Sequence, residues 1–343
     1  MAPLHNKYDK KELRENLMAS GEEFVTLSFY KYHKILNVPL FRDHLYTEWE
    51  KMGVLGRIYV ASEGINAQLA VPNARWKYFQ DHIGDITFLE QVHLNVAIEQ
   101  TPSFFKLTIK AKDKILADGL NDFSFDPGKS GDHLDAQSFN ELCSKDDTIL
   151  IDMRNHYEHE VGHFDGAVTP DVDTFRASLP IIEEMFEGDK EKDVVMYCTG
   201  GIRCEKASAW FKHRGFKSVY QLKGGIIEYA RQVKEQNLDN KFIGKNFVFD
   251  ERLGERITED VIAQCHQCGA SSDRHTNCEQ EGCHLLFIQC EDCAKKMQGC
   301  CSTDCLEIHQ LPEEEQKEIR AKLGKNKDNI YRKGRSDKLP FKK

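Results

Sequence analysis

Apolar and polar residues alternate along "FVTLSFYKY", residues 24 to 32: Val25, Leu27 and Phe29 share one face, Thr26, Ser28, Tyr30 and Tyr32 the other. A period of two predicts a strand with one face buried. "PLFRDHLYTEWEKMG" follows, opened by Pro39 and closed by Gly53. Proline suits a first helical turn, whose N–H groups have no intrahelical partner, and glycine suits the left-handed turn at the end. "GRIYVASEGINAQLAVP" reads as two strands around a Ser-Glu-Gly turn, "NARWKYFQDHI" as a second helix and "FFKLTIKAK" as the last strand. Over residues 22 to 116 this order predicts a ferredoxin-like (acylphosphatase-like) α+β sandwich. Residues 1 to 21 form an extension before it. The glycines, aspartates and proline of 117 to 129 mark a linker after it.

From 130 to 240 the pattern changes. "TILIDMR", "DVVMY" and "SVYQL" are short apolar runs of the kind that strands buried on both faces show, with helical segments between them. That alternation predicts a mostly parallel sheet. Residues 241 to 312 carry too little periodicity to fold on apolar burial alone. The expected architecture is α/β and multidomain: a sandwich, a parallel-sheet domain, a cysteine-rich region, and a tail over 313 to 343.

Composition sharpens this picture at three points. A chain of 343 residues has room for two or three domains and buries a core without disulfides. No apolar run approaches a membrane span and "MAPLHNKYDKKELREN" lacks the apolar stretch of a signal peptide, so a cytoplasmic protein with no membrane partner is expected. The net charge of −9 hides an asymmetry: residues 316 to 343 hold eleven Lys or Arg against three Asp or Glu, a net +8. Such a tail either meets a polyanion or is a solvated end. Nothing in the sequence sets an oligomeric state.

The candidate chemistry begins at "VVMYCTGGIRCEKASAWF", residues 194 to 211. Cys198 ends an apolar strand, and Ala207, Trp210, Phe211 and Arg214 fall on helical spacing after it. The thiol therefore lies on a strand-to-helix turn, at the carboxyl edge where open α/β sheets place ligands. Gly200 and Gly201 let the backbone curl so that N–H groups point inward, and the helix N-terminus adds partial positive charge. With Arg203 nearby, the thiol of Cys198 is expected to ionise below the usual value of roughly 8.5, because only the anion gains from these donors.

These residues carry a resemblance. "LIDMRNHYEHEVGHFDGAVTP", "MYCTGGIRCEKASAW" and "LKGGIIEYA" resemble a rhodanese domain, with an Asp-x-Arg at a strand end, a Gly-His-x-x-Gly-Ala turn, a six-residue loop from Cys198 to Arg203 and a closing Gly-Gly. The resemblance implies that Cys198 carries a persulfide, cradled by Arg203 and by the N–H groups of Thr199, Gly200, Gly201 and Ile202. Phosphatases of that fold resemble C-x5-R; here the loop is C-x4-R, which favours sulfur chemistry. Asp152 and Arg154 either support the loop or are scaffold. Cys204 either resolves a disulfide or persulfide on Cys198 or is a helix residue facing the core.

With "GRIYVASEGINAQL" before the loop and "GCCSTDC" after it, nearly the whole chain is similar to the oxygen-dependent tRNA uridine hydroxylases, which make 5-hydroxyuridine at the wobble position. That similarity implies a tRNA substrate, molecular oxygen as co-substrate and the loop cysteine as the essential residue, with a sulfur or electron donor as a further partner. No redox cofactor is identifiable: there is neither a dinucleotide glycine fingerprint nor a histidine pair with a carboxylate suited to non-haem iron. A plain persulfide or thiosulfate sulfurtransferase stays as the alternative.

Nine of the twelve cysteines fall between 265 and 305. Cys265 and Cys268, then Cys290 and Cys293, form two C-x2-C knuckles 21 residues apart, the spacing of a tetrahedral zinc site. Cys278, Cys283, Cys301 and Cys305 can make a second site interleaved with the first, leaving Cys300 over, and His266, His275 or His284 can replace a thiolate; the spacing fixes neither the pairing nor the occupancy. One or two structural zinc ions are expected. For RNA, Tyr30 and Tyr32 on the polar face of the first strand either stack unpaired bases or pack against a neighbouring domain.

Overall fold

The computed structural model describes residues 10–98, 103–122, 124–323 and 335–341. Parts of the N-terminal extension and of the basic tail named above therefore lie outside the described residues.

Helix α1 (Lys10–Ser20) leads into β1 (Phe24–Tyr32), α2 (Val38–Lys51), β2 (Leu55–Ala61), β3 (Gly64–Pro72), α3 (Trp76–Asp85), β4 (Asn95–Val96) and β5 (Leu107–Ala111). The Asn37 side chain caps α2 by accepting the Leu40 N–H. The five strands form one sheet in the order β4-β1-β3-β2-β5, with β3 antiparallel to β1 and β2, β4 antiparallel to β1, and β5 parallel to β2. Leu27, Phe29, Ile58, Val60, Ile65, Ala67 and Leu69 bury one sheet face against Leu45 and Trp49 of α2 and Phe79 of α3. The last strand departs from the expected place. Asn95–Val96 takes the position beside β1, whereas Leu107–Ala111 crosses to the far edge because Leu107 and Ile109 complete the core there.

The second domain contributes β6 (Asp132–Leu134), α4 (Ala136–Cys143), β7 (Ile149–Asp152), α5 (His156–His159), β8 (Gly162–Phe164), α6 (Phe175–Met185), β9 (Asp193–Tyr197), α7 (Ile202–His213), β10 (Ser218–Leu222) and α8 (Gly225–Gln236). Strands β6, β10, β9 and β7 lie side by side in that order, all parallel. Ile151, Val194 and Met196 pack on Leu179 and Phe211 on one side, and Leu150, Val195 and Tyr197 pack on Phe139, Ile226 and Tyr229 on the other. Strand β9 is thus buried on both faces, and its carboxyl end leads directly into Cys198.

Strand β11 (Phe242–Asn246) pairs antiparallel with β8, and β12 (Glu255–Arg256) extends that small sheet. The cysteine-rich region adds β13 (His275–Asn277), β14 (Leu286–Ile288), α9 (Glu291–Met297), α10 (Thr303–His309) and α11 (Glu313–Leu323). Its core mixes buried cysteines (Cys278, Cys283, Cys300, Cys301 and Cys305) with Leu285, Phe287 and, from the far end of the chain, Leu339. The segment 335–341 therefore docks: Arg335 pairs with Asp171 and Asp173, and Phe341 donates its N–H to the His266 carbonyl at 3.0 Å. That part of the tail is not a solvated end.

The first two domains meet through a buried charge cluster. Lys206 of α7, 1% exposed, reaches Glu63 at 2.9 Å and Asp118 at 2.5 Å, with its ammonium 5.5 Å from the Tyr32 ring centre.

Candidate active site

Strand β9 ends at Tyr197 and helix α7 begins at Ile202, so the intervening turn must reverse direction within four residues. Gly201 allows this by standing at φ +99°, a left-handed conformation that side-chain-bearing residues rarely adopt. Its N–H donates to the Cys198 sulfur at 3.1 Å. The closing glycines hold the loop from beneath: Ile226 N–H and Ile227 N–H bind the carbonyls of Cys198 and Thr199 at 3.0 and 3.3 Å. A methyl group on Gly225 would lie 2.5 Å from the Cys198 carbonyl oxygen, so that approach requires glycine.

Cys198 is fully buried. Burial alone would push its thiol up, but a hydrogen bond from the Cys204 side chain, the Arg203 charge, and the N–H groups of Cys204 and Arg203 outweigh it. The thiol is held at about 5 rather than 9.0, so the site contains a thiolate at neutral pH. Cys143 makes the contrast: burial with no such donors pushes it up to about 12. Cys204 faces the core and acts on Cys198 as a donor.

Arg203 is placed differently from the expected sulfur cradle. Its guanidinium makes a two-point pair with Glu158 of α5, at 2.6 and 2.8 Å, and both side chains are buried. Its charge and backbone N–H act on Cys198 while its side-chain donors go to the carboxylate. Thr199 faces the same carboxylate, its hydroxyl 3.5 Å from Glu158. Sequence reasoning missed Glu158. The available signal was the Asn155-x-x-Glu158 capping box, in which a side chain at each end satisfies a backbone N–H at the other. Asp152 and Arg154 form a fully buried pair, 2.6 Å apart, and Arg154 also binds the Gly162 carbonyl. Asp152 lies beside Tyr197 in the sheet register, one residue from Cys198, and neither Asp152 nor Arg154 lines the site cavity.

That cavity, ≈ 300 Å³, lies between the domains. Cys198, Thr199, Gly200, Ile202 and Arg203 form one wall, and the polar face of the first-domain sheet forms the opposite one. The register sets Ser28 beside Gln68 and Arg57 in one row, and Tyr30 beside Asn66 and Tyr59 in the next. Phe175, Ile227 and, from the segment after β11, Val248 and Phe249 close the space with apolar surface. Asn95 joins the two walls by donating to the Gly200 carbonyl at 3.1 Å. The cavity thus carries apolar surface from Phe175, Ile227, Val248 and Phe249, amides, hydroxyls and the charged Arg57 on the sheet side, and an ionised thiol in its wall.

Tyr30 and Tyr32 do not form an open stacking pair. The Tyr30 hydroxyl donates to Glu205 of α7 at 3.1 Å and Tyr32 lies under Lys206, because the second domain covers this edge of the sheet. Tyr30 keeps a place in the cavity wall.

The cysteine-rich region brings two quartets together: Cys265, Cys268, Cys290 and Cys293, and Cys278, Cys283, Cys301 and Cys305, each with its sulfur atoms within 4.8 Å of one another. Cys268 and Cys290 are 3.7 Å apart, Cys283 and Cys301 3.7 Å, and Cys301 and Cys305 3.6 Å. Four thiolates at ~2.3 Å around a tetrahedral ion stand about 3.8 Å apart, so either quartet fits a metal ion. His266 instead binds Glu160 at 2.9 Å, and Cys300 is buried beside the second quartet.

Comparison with known proteins places these parts in one family. Residues 24–115 match the UPF0176 acylphosphatase like domain, 135–232 the Rhodanese-like domain and 243–306 the Rhodanase C-terminal family. A protein of Yersinia pestis (strain Pestoides F) named tRNA uridine(34) hydroxylase is 54% identical over 94% of this chain and 91% of its own. The chain belongs to the tRNA uridine(34) hydroxylase family. A second member, from Yersinia enterocolitica, is 55% identical over 94% of this chain and 92% of its own. The solution structure of a rhodanese-like domain from Anabaena is 18% identical over 33% of this chain and 78% of that one, with a TM-score of 0.26. The similarity to tRNA uridine hydroxylases drawn from the motifs thus extends across the three domains. As in the sequence, no described helix is long and apolar enough to cross a membrane.

Proposed function

We propose that this chain hydroxylates the wobble uridine of tRNA at C5, with dioxygen as the oxygen source and Cys198 as the reactive group. The observation that carries this is the ionised thiol in one wall of a cavity whose opposite wall presents Ser28, Asn66 and Gln68, side chains that can hydrogen-bond the edge of a nucleobase. A plain sulfurtransferase needs the thiolate alone; the amide and hydroxyl wall of the first domain supports a nucleobase opposite it. Wobble bases are unpaired in the free anticodon loop and can be splayed into such a space.

The chemistry follows from what a thiolate does to uracil. Addition of sulfur at C6 raises electron density at C5, which takes up one oxygen atom of dioxygen. Loss of the C5 proton and expulsion of the thiolate restore the ring. The second oxygen atom leaves as water, which takes two electrons and two protons from a reductant; two thiols joining as a disulfide supply them. The Cys204 side chain, the Arg203 charge and the N–H groups of Gly201, Arg203 and Cys204 keep the sulfur anionic between turnovers, Thr199, Gly200 and Ile202 complete the loop around it, and Asp152 and Arg154 brace the strand ends. Cys265, Cys268, Cys290 and Cys293, and likewise Cys278, Cys283, Cys301 and Cys305, would hold zinc through four thiolates, and its role there would be structural. The setting is the cytoplasm, where thiols stay reduced. The unpaired bases of tRNA enter beside the first domain, and the lysines of the tail meet its phosphates.

Nucleoside analysis of tRNA tests the proposal, in cells with and without the gene, in a strain with no second route to 5-hydroxyuridine. The nucleoside should vanish on deletion and return with wild type but not with Cys198→Ser. Unchanged 5-hydroxyuridine refutes the hydroxylase reading, and thiosulfate-dependent persulfide transfer in its place supports the sulfurtransferase.

A further inference from the structure

Tyr30 stands over the reactive loop. A methyl group built on Gly201 would meet the phenol oxygen at 2.9 Å, and that same glycine holds the Cys198 sulfur through its N–H. The phenol donates to Oε2 of Glu205 at 3.1 Å. Glu205 Oε2 in turn faces Nε2 of His133 at 3.0 Å, and the His133 side chain is 40% exposed. Three titratable groups therefore run in contact from the cavity wall to solvent.

Gln221 of β10 fixes where the hydrogens are. Its amide nitrogen lies 2.9 Å from Glu205 Oε2 and 2.7 Å from His133 Nε2. Turning the amide over would set its oxygen against a carboxylate, so the nitrogen must face this way. An amide nitrogen only donates, so His133 Nε2 accepts, and the neutral ring carries its proton on Nδ1. Two acceptors, Nε2 and Oε2, then confront each other at hydrogen-bond distance with no hydrogen of their own between them. The arrangement has room for one more proton.

We infer that Tyr30, Glu205 and His133 form a proton relay that carries the proton shed by the substrate carbon from the cavity to solvent. The inference rests on the hydroxylase reading, in which C5 loses its hydrogen as a proton. As that proton arrives on the Tyr30 oxygen, Tyr30 passes its own hydroxyl proton to Glu205 Oε2. The carboxylate hands it to His133 Nε2, and the Nδ1 proton leaves to water. No electron moves; Tyr30 and Glu205 return to their starting forms at once, while His133 is left with its proton on Nε2 and regains the Nδ1 form by proton exchange with water at its exposed side. The resting states suit these roles. Burial, then the charges of Glu205, Cys198 and Cys204, raise Tyr30 well above its ordinary range, so it stays protonated and only transmits. Glu205 Oε2 accepts from the Tyr30 hydroxyl at 3.1 Å and from the Gln221 amide at 2.9 Å, so it is placed to receive a proton from Tyr30. Tyr32, the remaining titratable neighbour on β1, is also kept neutral by burial, with Glu63 and Glu205 acting the same way.

The test uses full-length protein, a tRNA transcript and a weakly buffered assay. His133→Ala should slow 5-hydroxyuridine formation by about 10-fold or more, within the range that proton-transfer groups contribute. Added imidazole should restore most of that loss in proportion to its concentration, while tRNA affinity and the alkylation rate of Cys198 stay at wild-type values. Tyr30→Phe, nearly isosteric, should lose turnover with no rescue. If the wild type is active and His133→Ala matches it at low buffer, or its deficit ignores imidazole, or Tyr30→Phe is fully active, the relay is refuted and the hydroxylase reading stands. A wild type that forms no 5-hydroxyuridine refutes both.

Discussion

Replacing Cys204 by alanine removes one of the groups that keep Cys198 ionised, and the size of the effect can be worked from the loop. The Cys198 thiol is held at about 5 against burial, by the Cys204 side chain first, then the Arg203 charge and two backbone N–H groups. A hydrogen bond to a charged group contributes about 1.5–3 kcal/mol. At 1.36 kcal/mol per pH unit, losing the Cys204 donor should move the ionisation midpoint up by about 1–2 units. Rates of alkylation by iodoacetamide, followed at the Cys198 peptide by mass spectrometry from pH 3.5 to 9, give that midpoint directly. Wild type should titrate near pH 5, Cys204→Ala near 6 to 7, and Cys204→Ser close to wild type because a hydroxyl still donates. Cys143 should stay nearly inert below pH 9, since burial pushes it up to about 12. The sign for stability follows. A depressed thiol contributes stability that is full above its unfolded value of roughly 8.5 and is lost as pH falls towards 5, on the order of 5 kcal/mol at most. An unchanged midpoint in Cys204→Ala would mean that the loop N–H groups and Arg203 suffice and that Cys204 is only packing.

Glu158→Gln leaves a buried guanidinium without its carboxylate and should cost about 3–5 kcal/mol, read as a lower denaturation midpoint; a shift under 1 kcal/mol would show that Arg203 finds another partner. Ending the chain after Gly334 removes Leu339 from the thiol core, so a chelator should strip metal faster from the truncated protein than from the full chain, with the parallel-sheet domain still protected in hydrogen exchange. Equal rates would mean that Leu339 adds nothing to that core. Changing Lys325, Lys327, Arg332 and Lys333 to Gln should flatten the salt dependence of tRNA binding by roughly 0.7 in log–log slope for each single-strand phosphate these side chains neutralise, with the Cys198 midpoint unmoved. An unaltered slope would assign the phosphates to other residues.

How much of this was legible in the sequence depends on the range of the interaction. Cys198, Gly201 and the helix start are neighbours in the chain, so their geometry follows from local rules, and the two C-x2-C knuckles follow from ligand spacing, whereas the pairing of Cys278 and Cys283 with Cys301 and Cys305 comes from the fold. Val25 to Tyr32 was readable as a strand because one face is core. The partners were not readable. Glu158 lies 45 residues from Arg203, Glu63 lies 143 from Lys206 and Glu205 lies 175 from Tyr30, and only the packed sheets bring each pair together. The fate of Leu107–Ala111 was hidden for the same reason, since alternation sets a strand's faces but not which edge it joins. The tail's charge masked its anchors, Arg335, Leu339 and Phe341, a few contacts within a run dominated by Lys and Arg.

The interdomain cavity has a consequence for how such a protein can be inherited or rebuilt. Its reactive thiol comes from one module, its polar wall from another and its apolar closure from the segment after β11, and Asn95 and Lys206 hold them in register. A rhodanese module transplanted alone would keep its sulfur chemistry and lose the ability to choose a substrate, while the sheet alone would have nothing to react with. The three parts must therefore vary together, and a chimera of two distant relatives should fail at the seam rather than in either half.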